Sequence, residues 1–314
     1  MINFRYHVVS LTAVFLALAI GLVVGTAALN GPVADSLKDR VNALGKDNRQ
    51  LREQVSSLQE EANREEDFAT ESAPYMLAGK LSGRRVLLLT MPSGRDQADG
   101  VKKMLEMAGA TITGRVDVQD KLVNPDNSVE LLDLADQASQ PTIPTTGLPA
   151  NSDGIETSSA LLATALLDRP AAAVPVSATD LKALLAAYSS AGYISVEDDK
   201  VTGPAEAVVI VSGQPYTDSE SVKKDEAVVT VADQFDKVGP LVVAGNGATD
   251  GNLVAGVRGD PALSKSISTV DNSNTTQGQV VTALAVVEQL TQGKAGQYGL
   301  GAGNSSMMPK QNEK

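Results

Sequence analysis

Residues 84–118 read RRVLLLTMPSGRDQADGVKKMLEMAGATITGRVDV, and this stretch decides the fold class. Residues 86–89 form an unbroken apolar run. A strand with one wet face would alternate, so this run predicts a strand buried on both sides. Thr90 and Met91 are candidates to extend it, and Pro92 and Gly94 turn the chain. Residues 98–107 carry a helical pattern, and Gly109 lies just past its end, where a helix stop is expected. Residues 111–118 then alternate as a second strand.

The same grammar continues downstream. Residues 122–138 read as helical in part, interrupted at Asn124 and Pro125. Residues 140–154 are rich in Pro, Thr, Gly and Ser and predict a loop. Residues 155–167 and 178–190 predict helices, the second capped by Ser177 or Thr179. Residues 207–211, 240–244 and 267–270 are further buried strands, and 228–238 and 277–292 further helices. Strands alternating with helices imply a mainly parallel sheet covered on both faces, an α/β architecture of Rossmann-like or flavodoxin-like type. Strand order is not legible at this level. The domain is expected over 80–298, with residues 299–314 as a disordered polar tail.

Upstream, the pattern is different. Val41, Leu44, Asn48, Leu51, Val55, Leu58 and Ala62 follow alternating steps of three and four. Val41, Asn48, Val55 and Ala62 take heptad a; Leu44, Leu51 and Leu58 take d, with Leu37 one heptad earlier. β-Branched a with Leu at d favours a parallel two-stranded coil, and Asn at a fixes register at some cost in stability. Asp47 at g and Arg52 at the next e would face each other across such a dimer. Gly45 and Ala62 weaken it. The expected dimer interface is therefore Val41, Leu44, Asn48, Leu51, Val55 and Leu58, in a coiled coil over 34–66 that Pro74 ends. The competing reading is an amphipathic helix packed on its own domain; it does not need a 3.5-residue period.

Before the coil, residues 8–29 carry no charge. As a helix they would span about 33 Å, enough for a bilayer core. Arg5 precedes them, which by the positive-inside rule leaves residues 1–7 cytoplasmic and the C-terminal domain extracytoplasmic. A cleaved signal peptide, with Thr26 and Ala28 at the cut, is the alternative, but the apolar run is longer than such peptides use. Gly21 and Gly25 have small-xxx-small spacing, although glycines are ordinary in membrane helices.

Composition removes several functions. The chain of 314 residues has 26 basic against 38 acidic residues, a net of -12, so nucleic acid is not an expected partner. It has no Cys, and its one histidine is His7, which excludes disulfides, thiolate metal sites and a Ser-His-Asp triad. Aromatics are 3% of residues, so the core must come from Ala, Val and Leu. Ligands in parallel α/β folds bind at loops after strands. Three such loops are present: Ser93-Gly94-Arg95, Ser212-Gly213 and Gly245-Asn246-Gly247. None is a dinucleotide or Walker loop, and short glycine turns are needed simply to reverse the backbone. Glu197-Asp198-Asp199 reads as a solvated loop. Asp271 ends a strand, but Asn272, Ser273 and Asn274 make a turn the simpler account. Cu(I) prefers soft ligands, which leaves methionine: Met104 and Met107 read as core filling, and Met307-Met308 lie in the tail. No catalytic, cofactor or metal residue is therefore expected, and the chain is not expected to be an enzyme.

The N-terminal stretch Met1-Ile2-Asn3-Phe4-Arg5-Tyr6-His7-Val8-Val9-Ser10-Leu11, followed by Ala13-Val14-Phe15-Leu16-Ala17-Leu18, resembles the actinobacterial MctB family, also described as SteB. Ser268-Thr269-Val270-Asp271-Asn272 followed by Gly278-Gln279 is a second match. The resemblance implies an envelope protein with one of two roles. One is copper transport or homeostasis. The other is an adaptor regulating cell separation, paired with a SteA-like membrane protein and engaging a peptidoglycan hydrolase of RipA type. It brings no catalytic residues. A channel needs several membrane helices or a closed barrel, whereas an adaptor needs an anchor, a spacer and a dimer axis. The expectation is therefore a single-pass, homodimeric membrane adaptor, with copper transport as the alternative and a nucleotide-binding Rossmann-like protein behind both.

Overall fold

A computed structural model describes residues 4–29, 31–149, 153–169, 175–196 and 201–310. The helices α1 (Phe4–Leu29) and α2 (Pro32–Leu77) come first. They are followed by β1 (Arg85–Thr90), α3 (Arg95–Met107), β2 (Thr111–Val118), α4 (Asp120–Val123), α5 (Ser128–Ala138), α6 (Gly154–Leu166) and α7 (Ala178–Ser190). Then come β3 (Ile194–Val196), β4 (Ala207–Val211), α8 (Ser221–Asp236), β5 (Leu241–Ala244), α9 (Leu253–Gly259), α10 (Leu263–Ser266), β6 (Ser268–Val270), α11 (Thr276–Gln292) and β7 (Gln297–Tyr298). The chain divides into two compact units, Met1–Glu65 and Glu66–Lys314.

In the first unit, α1 supplies 24 residues, Phe4–Ala27, long and apolar enough to cross a membrane. The helix starts at Phe4, ahead of the apolar run itself. The second helix opens at Pro32, where the missing N–H would have no intrahelical acceptor anyway.

The second unit is built on a seven-stranded sheet of order β3-β2-β1-β4-β5-β6-β7. All neighbours are parallel except β2 and β3. Both faces are covered, and the apolar runs split by parity. Leu87, Leu89, Val208, Ile210 and Val243 point to the face carrying α5 to α9. Val86, Leu88, Val209, Val211 and Val242 point to the face carrying α3, α11 and the last turns of α2. Full burial of each such side chain contributes about 1.5–3 kcal/mol before entropy is counted. The few aromatics are spent here: Tyr188, Tyr193 and Phe235 are among the largest fully buried side chains.

Several boundaries differ from the sequence reading. Pro74 lies inside α2, which runs to Leu77. Ala73 and Leu77 are fully buried in the core, and that packing carries the helix one turn past the proline. The α/β unit therefore begins at Glu66, before the expected residue 80. The helix α8 starts at Ser221, because its first turns are polar and only from Ala227 does it face the core. In β2 the register with β1 slips between Val86 and Leu87, so Thr113 and Gly114 are both buried and strict alternation fails. Ser177 is the cap of α7, its Oγ accepting from the Asp180 amide at 3.1 Å.

The polar tail is also different from expectation. Residues 299–306 are bonded to the domain: Ser305 donates through its amide to the Gln297 carbonyl at 2.7 Å, and Leu300 through its amide to the Asp271 carboxylate at 2.7 Å. The Glu197-Asp198-Asp199 run lies outside the described residues.

Candidate functional site

The predicted interface residues share one face of α2. Leu37, Val41, Leu44, Leu51, Val55 and Leu58 are each between 59% and 67% exposed in the single chain, and Asn48 is exposed with them. A seven-residue repeat drifts only about 20° per heptad on a straight helix, so these side chains form one continuous stripe. The flanks are polar, with one i,i+4 pair, Arg64 to Glu60 at 3.5 Å, too exposed to stabilise much. Among the described residues neither Asp47 nor Arg52 has an ion-pair partner.

The strand order reverses between β1 and β4, which is where open α/β sheets hold ligands. Two of the three glycine loops named from sequence meet at this point. The Met91 amide donates to the Val211 carbonyl at 2.8 Å, and the Gly213 amide to Ser93 Oγ at 3.0 Å. A Cβ on Gly94 would lie 2.3 Å from the Val211 oxygen, and one on Gly213 would lie 2.0 Å from the Ser93 oxygen. These glycines let backbone pack on backbone, filling the crevice. Gln214 Nε2 donates to the Asn246 carbonyl at 3.1 Å and ties in the third loop. At the rim, Tyr216 donates to Asp120 at 3.0 Å, and burial, reinforced by that carboxylate, pushes the phenol well above its ordinary range. Arg95 donates to Gln119 at 2.8 Å.

Asp271, read from sequence as a turn residue, is a buried hub. Its side chain is 1% exposed and that of Arg258, on α9, is 8% exposed; the two pair at 2.8 Å. Asp271 also accepts from the Leu300 amide at 2.7 Å and the Gly301 amide at 3.0 Å. Arg258 donates to Thr269 Oγ1 and to the Tyr298 and Ala302 carbonyls at 2.7–2.9 Å. Sequence pattern could not pair residues 258 and 271; the one available signal was a lone Arg in an apolar helix. The Gly278-Gln279 pair has a packing reason. A Cβ on Gly278 would fall 1.9 Å from the Asn272 oxygen, and Gln279 fills the space beside Gly100.

The start of α11 is held from α2. Thr276 donates through its amide to the two Glu66 oxygens at 2.8 and 3.1 Å and through its hydroxyl to the same carboxylate. A carboxylate at a helix N-terminus complements the dipole.

Among the described residues no three His, Asp or Glu side chains converge on a metal position. Met104 is 3% exposed and Met107 packs against the core, as filling. Met307 and Met308 are 54% and 44% exposed.

The sequence profile of one family, described as "Copper transport outer membrane protein, MctB", matches residues 1–309. Proteins named copper transporter MctB from Mycobacterium tuberculosis and Mycobacterium bovis are 27% identical over 315 aligned positions, covering 99% of this chain and all of theirs. The Mycobacterium leprae protein of that name is 27% identical over 313 positions, 98% of this chain and 99% of its own. The likeness runs through the apolar helix, the long helix and the α/β unit alike. With an apolar N-terminal helix of membrane-spanning length and a profile match over nearly its whole length, this chain belongs to the MctB family of membrane proteins.

Proposed function

We propose that this chain is a membrane-anchored, non-catalytic adaptor that dimerises through α2 and recruits other proteins of the cell envelope. The observation that carries the reading is the exposed stripe from Leu37 to Leu58 with Asn48 inside it. Water-facing Leu and Val at a heptad spacing gain stability only when covered, and a parallel second copy covers them in register. The α/β unit then serves as a folded head. The resemblance to the SteB description supplies the partners: a peptidoglycan hydrolase of RipA type and a SteA-like membrane protein, in the service of cell separation. With α1 as a single anchor and Arg5 before it, the head lies outside the cytoplasm.

The experiment uses the absence of native cysteine. Leu44→Cys and Leu51→Cys are placed singly in the full chain in membranes and oxidised, with Glu53→Cys on the outer face as control. Seam cysteines that join into covalent dimers support the reading. If they crosslink no better than position 53, the adaptor loses its axis. Recovery of the hydrolase with the intact dimer, and not with a Leu51→Asp chain, tests the recruitment step.

Copper transport is the second reading, favoured by the name of the family and of the mycobacterial relatives. On this chain its soft ligands are thioethers, and Met307 and Met308 are the exposed adjacent pair. Stoichiometric Cu(I) binding in a competition titration, lost on Met307→Leu with Met308→Leu, would move the assignment to copper.

A further inference from the structure

The chain has 4 Phe, 6 Tyr and no Trp, and all ten lie in described segments. Phe4, Tyr6 and Phe15 belong to α1. Tyr188, Tyr193, Phe235 and Tyr298 are buried, and Tyr216 is half-buried on Asp120. The two that remain, Phe68 and Tyr75, are 73% and 90% exposed. A single surface aromatic is ordinary. These two stand one heptad apart on α2, and Glu71 lies between them, so the three occupy positions i, i+3 and i+7 of one helical face. Ala73 and Leu77, on the opposite side of the same turns, are fully buried in the core, so the α/β unit does not cover the aromatic face.

Charge specifies what fits it. Residues 60–71 hold six carboxylates, Glu60, Glu61, Glu65, Glu66, Asp67 and Glu71, against Arg64 alone. Glu66 is used by Thr276, while Asp67 and Glu71 have no ion-pair partner among the described residues. An aromatic pair framed by free carboxylates attracts guanidinium and ammonium groups, through the ring faces and the charges together. It repels anionic headgroups. We infer that the Phe68–Glu71–Tyr75 face of α2 is a docking surface for a basic, Arg- or Lys-bearing amphipathic segment of another protein. The surface lies C-terminal to the Val41–Leu58 seam, beyond the last leucine of the heptad run. The inference rests on the adaptor reading for its biological sense and gives that adaptor a recruiting face.

The test places a photoreactive benzoylphenylalanine at Tyr75 in the full chain in native membranes, which keeps an aromatic at the site. The expected result is one protein adduct whose crosslinked peptide carries net positive charge. Its yield falls by about fivefold between 0.1 and 0.5 M salt, as screened exposed charges require, and falls similarly on Glu71→Lys or Phe68→Ala. Both changes are on the exposed face, and the melting temperature of the purified chain checks that they leave the fold intact. No adduct with another protein, a peptide without net positive charge, or a yield indifferent to Glu71→Lys would overturn it. The seam cysteines report separately: crosslinking at Leu51→Cys with no basic adduct at position 75 sinks this inference alone, and the reverse pattern sinks the dimer alone.

Discussion

Asp271 and Arg258 sit almost out of water, 2.8 Å apart, with backbone groups from residues 298–302 satisfying the rest of their valences. Such a pair need add little net stability, but breaking one side of it strands a charge. Asp271→Asn is therefore expected to destabilise the chain by about 3–5 kcal/mol in urea unfolding. The Leu300 and Gly301 amides should also exchange with solvent ahead of the core, and slow exchange there would show that other contacts hold the segment. The crowded glycines make a second test. Gly213→Ala places a carbon 2.0 Å from the Ser93 oxygen, whereas Gly239→Ala meets nothing nearer than Leu167 Cδ1 at 3.6 Å. The first is expected to cost about 2–4 kcal/mol by melting and the second to be close to neutral. At this scale sequence legibility is poorest. Asp271 followed by Asn272-Ser273-Asn274 has the chemistry of a turn, and nothing in a linear pattern shows that an arginine thirteen positions earlier folds back onto it. The three glycine loops are legible as strand ends, but only their meeting in space shows that backbone packs on backbone there.

The long helix offers the sharpest test among the elements. If two copies of α2 share the Val41–Leu58 stripe, Leu51→Asp removes two buried leucines per dimer and adds two facing carboxylates. Each lost leucine contributes about 1.5–3 kcal/mol, so two per dimer should weaken the dimer constant in sedimentation by about a hundredfold or more. Asn48→Val is expected to act oppositely, raising the dimer's melting temperature while admitting other stoichiometries, because a buried Asn at a trades stability for a unique pairing. A chain that sediments as a monomer before any substitution would remove the premise of both. Elements with a strong apolar signal are legible: β1, β4 and β5 lie within a residue or so of the apolar runs 86–89, 207–211 and 240–244, because the centre of a strand buried on both faces has no polar position to blur it. Elements whose ends are polar or set by tertiary contact were not. The first turns of α8 look like loop until its later turns are seen in the core, and α2 passes Pro74 because Ala73 and Leu77 are anchored.

At the scale of the molecule, the described residues offer one helix of membrane-spanning length and an open sheet with edges at β3 and β7. A spanning barrel must close its edges and show lipid one apolar face per strand; this sheet has both faces covered by its own helices. The head has the strand order of nucleotide-binding folds, 3-2-1-4-5-6, with β7 added, so fold analogy alone would assign it a nucleotide. The geometry at the reversal argues otherwise. A pyrophosphate needs backbone N–H groups turned toward an open crevice, yet here the Met91 and Gly213 amides are spent on Val211 and Ser93, and the two glycines bring backbone to backbone. A ligand at one hundred times its dissociation constant would stabilise the fold by about 2.7 kcal/mol, which for a unit of this size is a rise of several degrees in melting temperature. A panel of mono- and dinucleotides at millimolar concentration is therefore expected to move the melting temperature by less than about 1 °C. A rise of several degrees that disappears in Gly213→Ala would mean that the loops part to admit a ligand, and the head would then be a sensor in place of a passive scaffold.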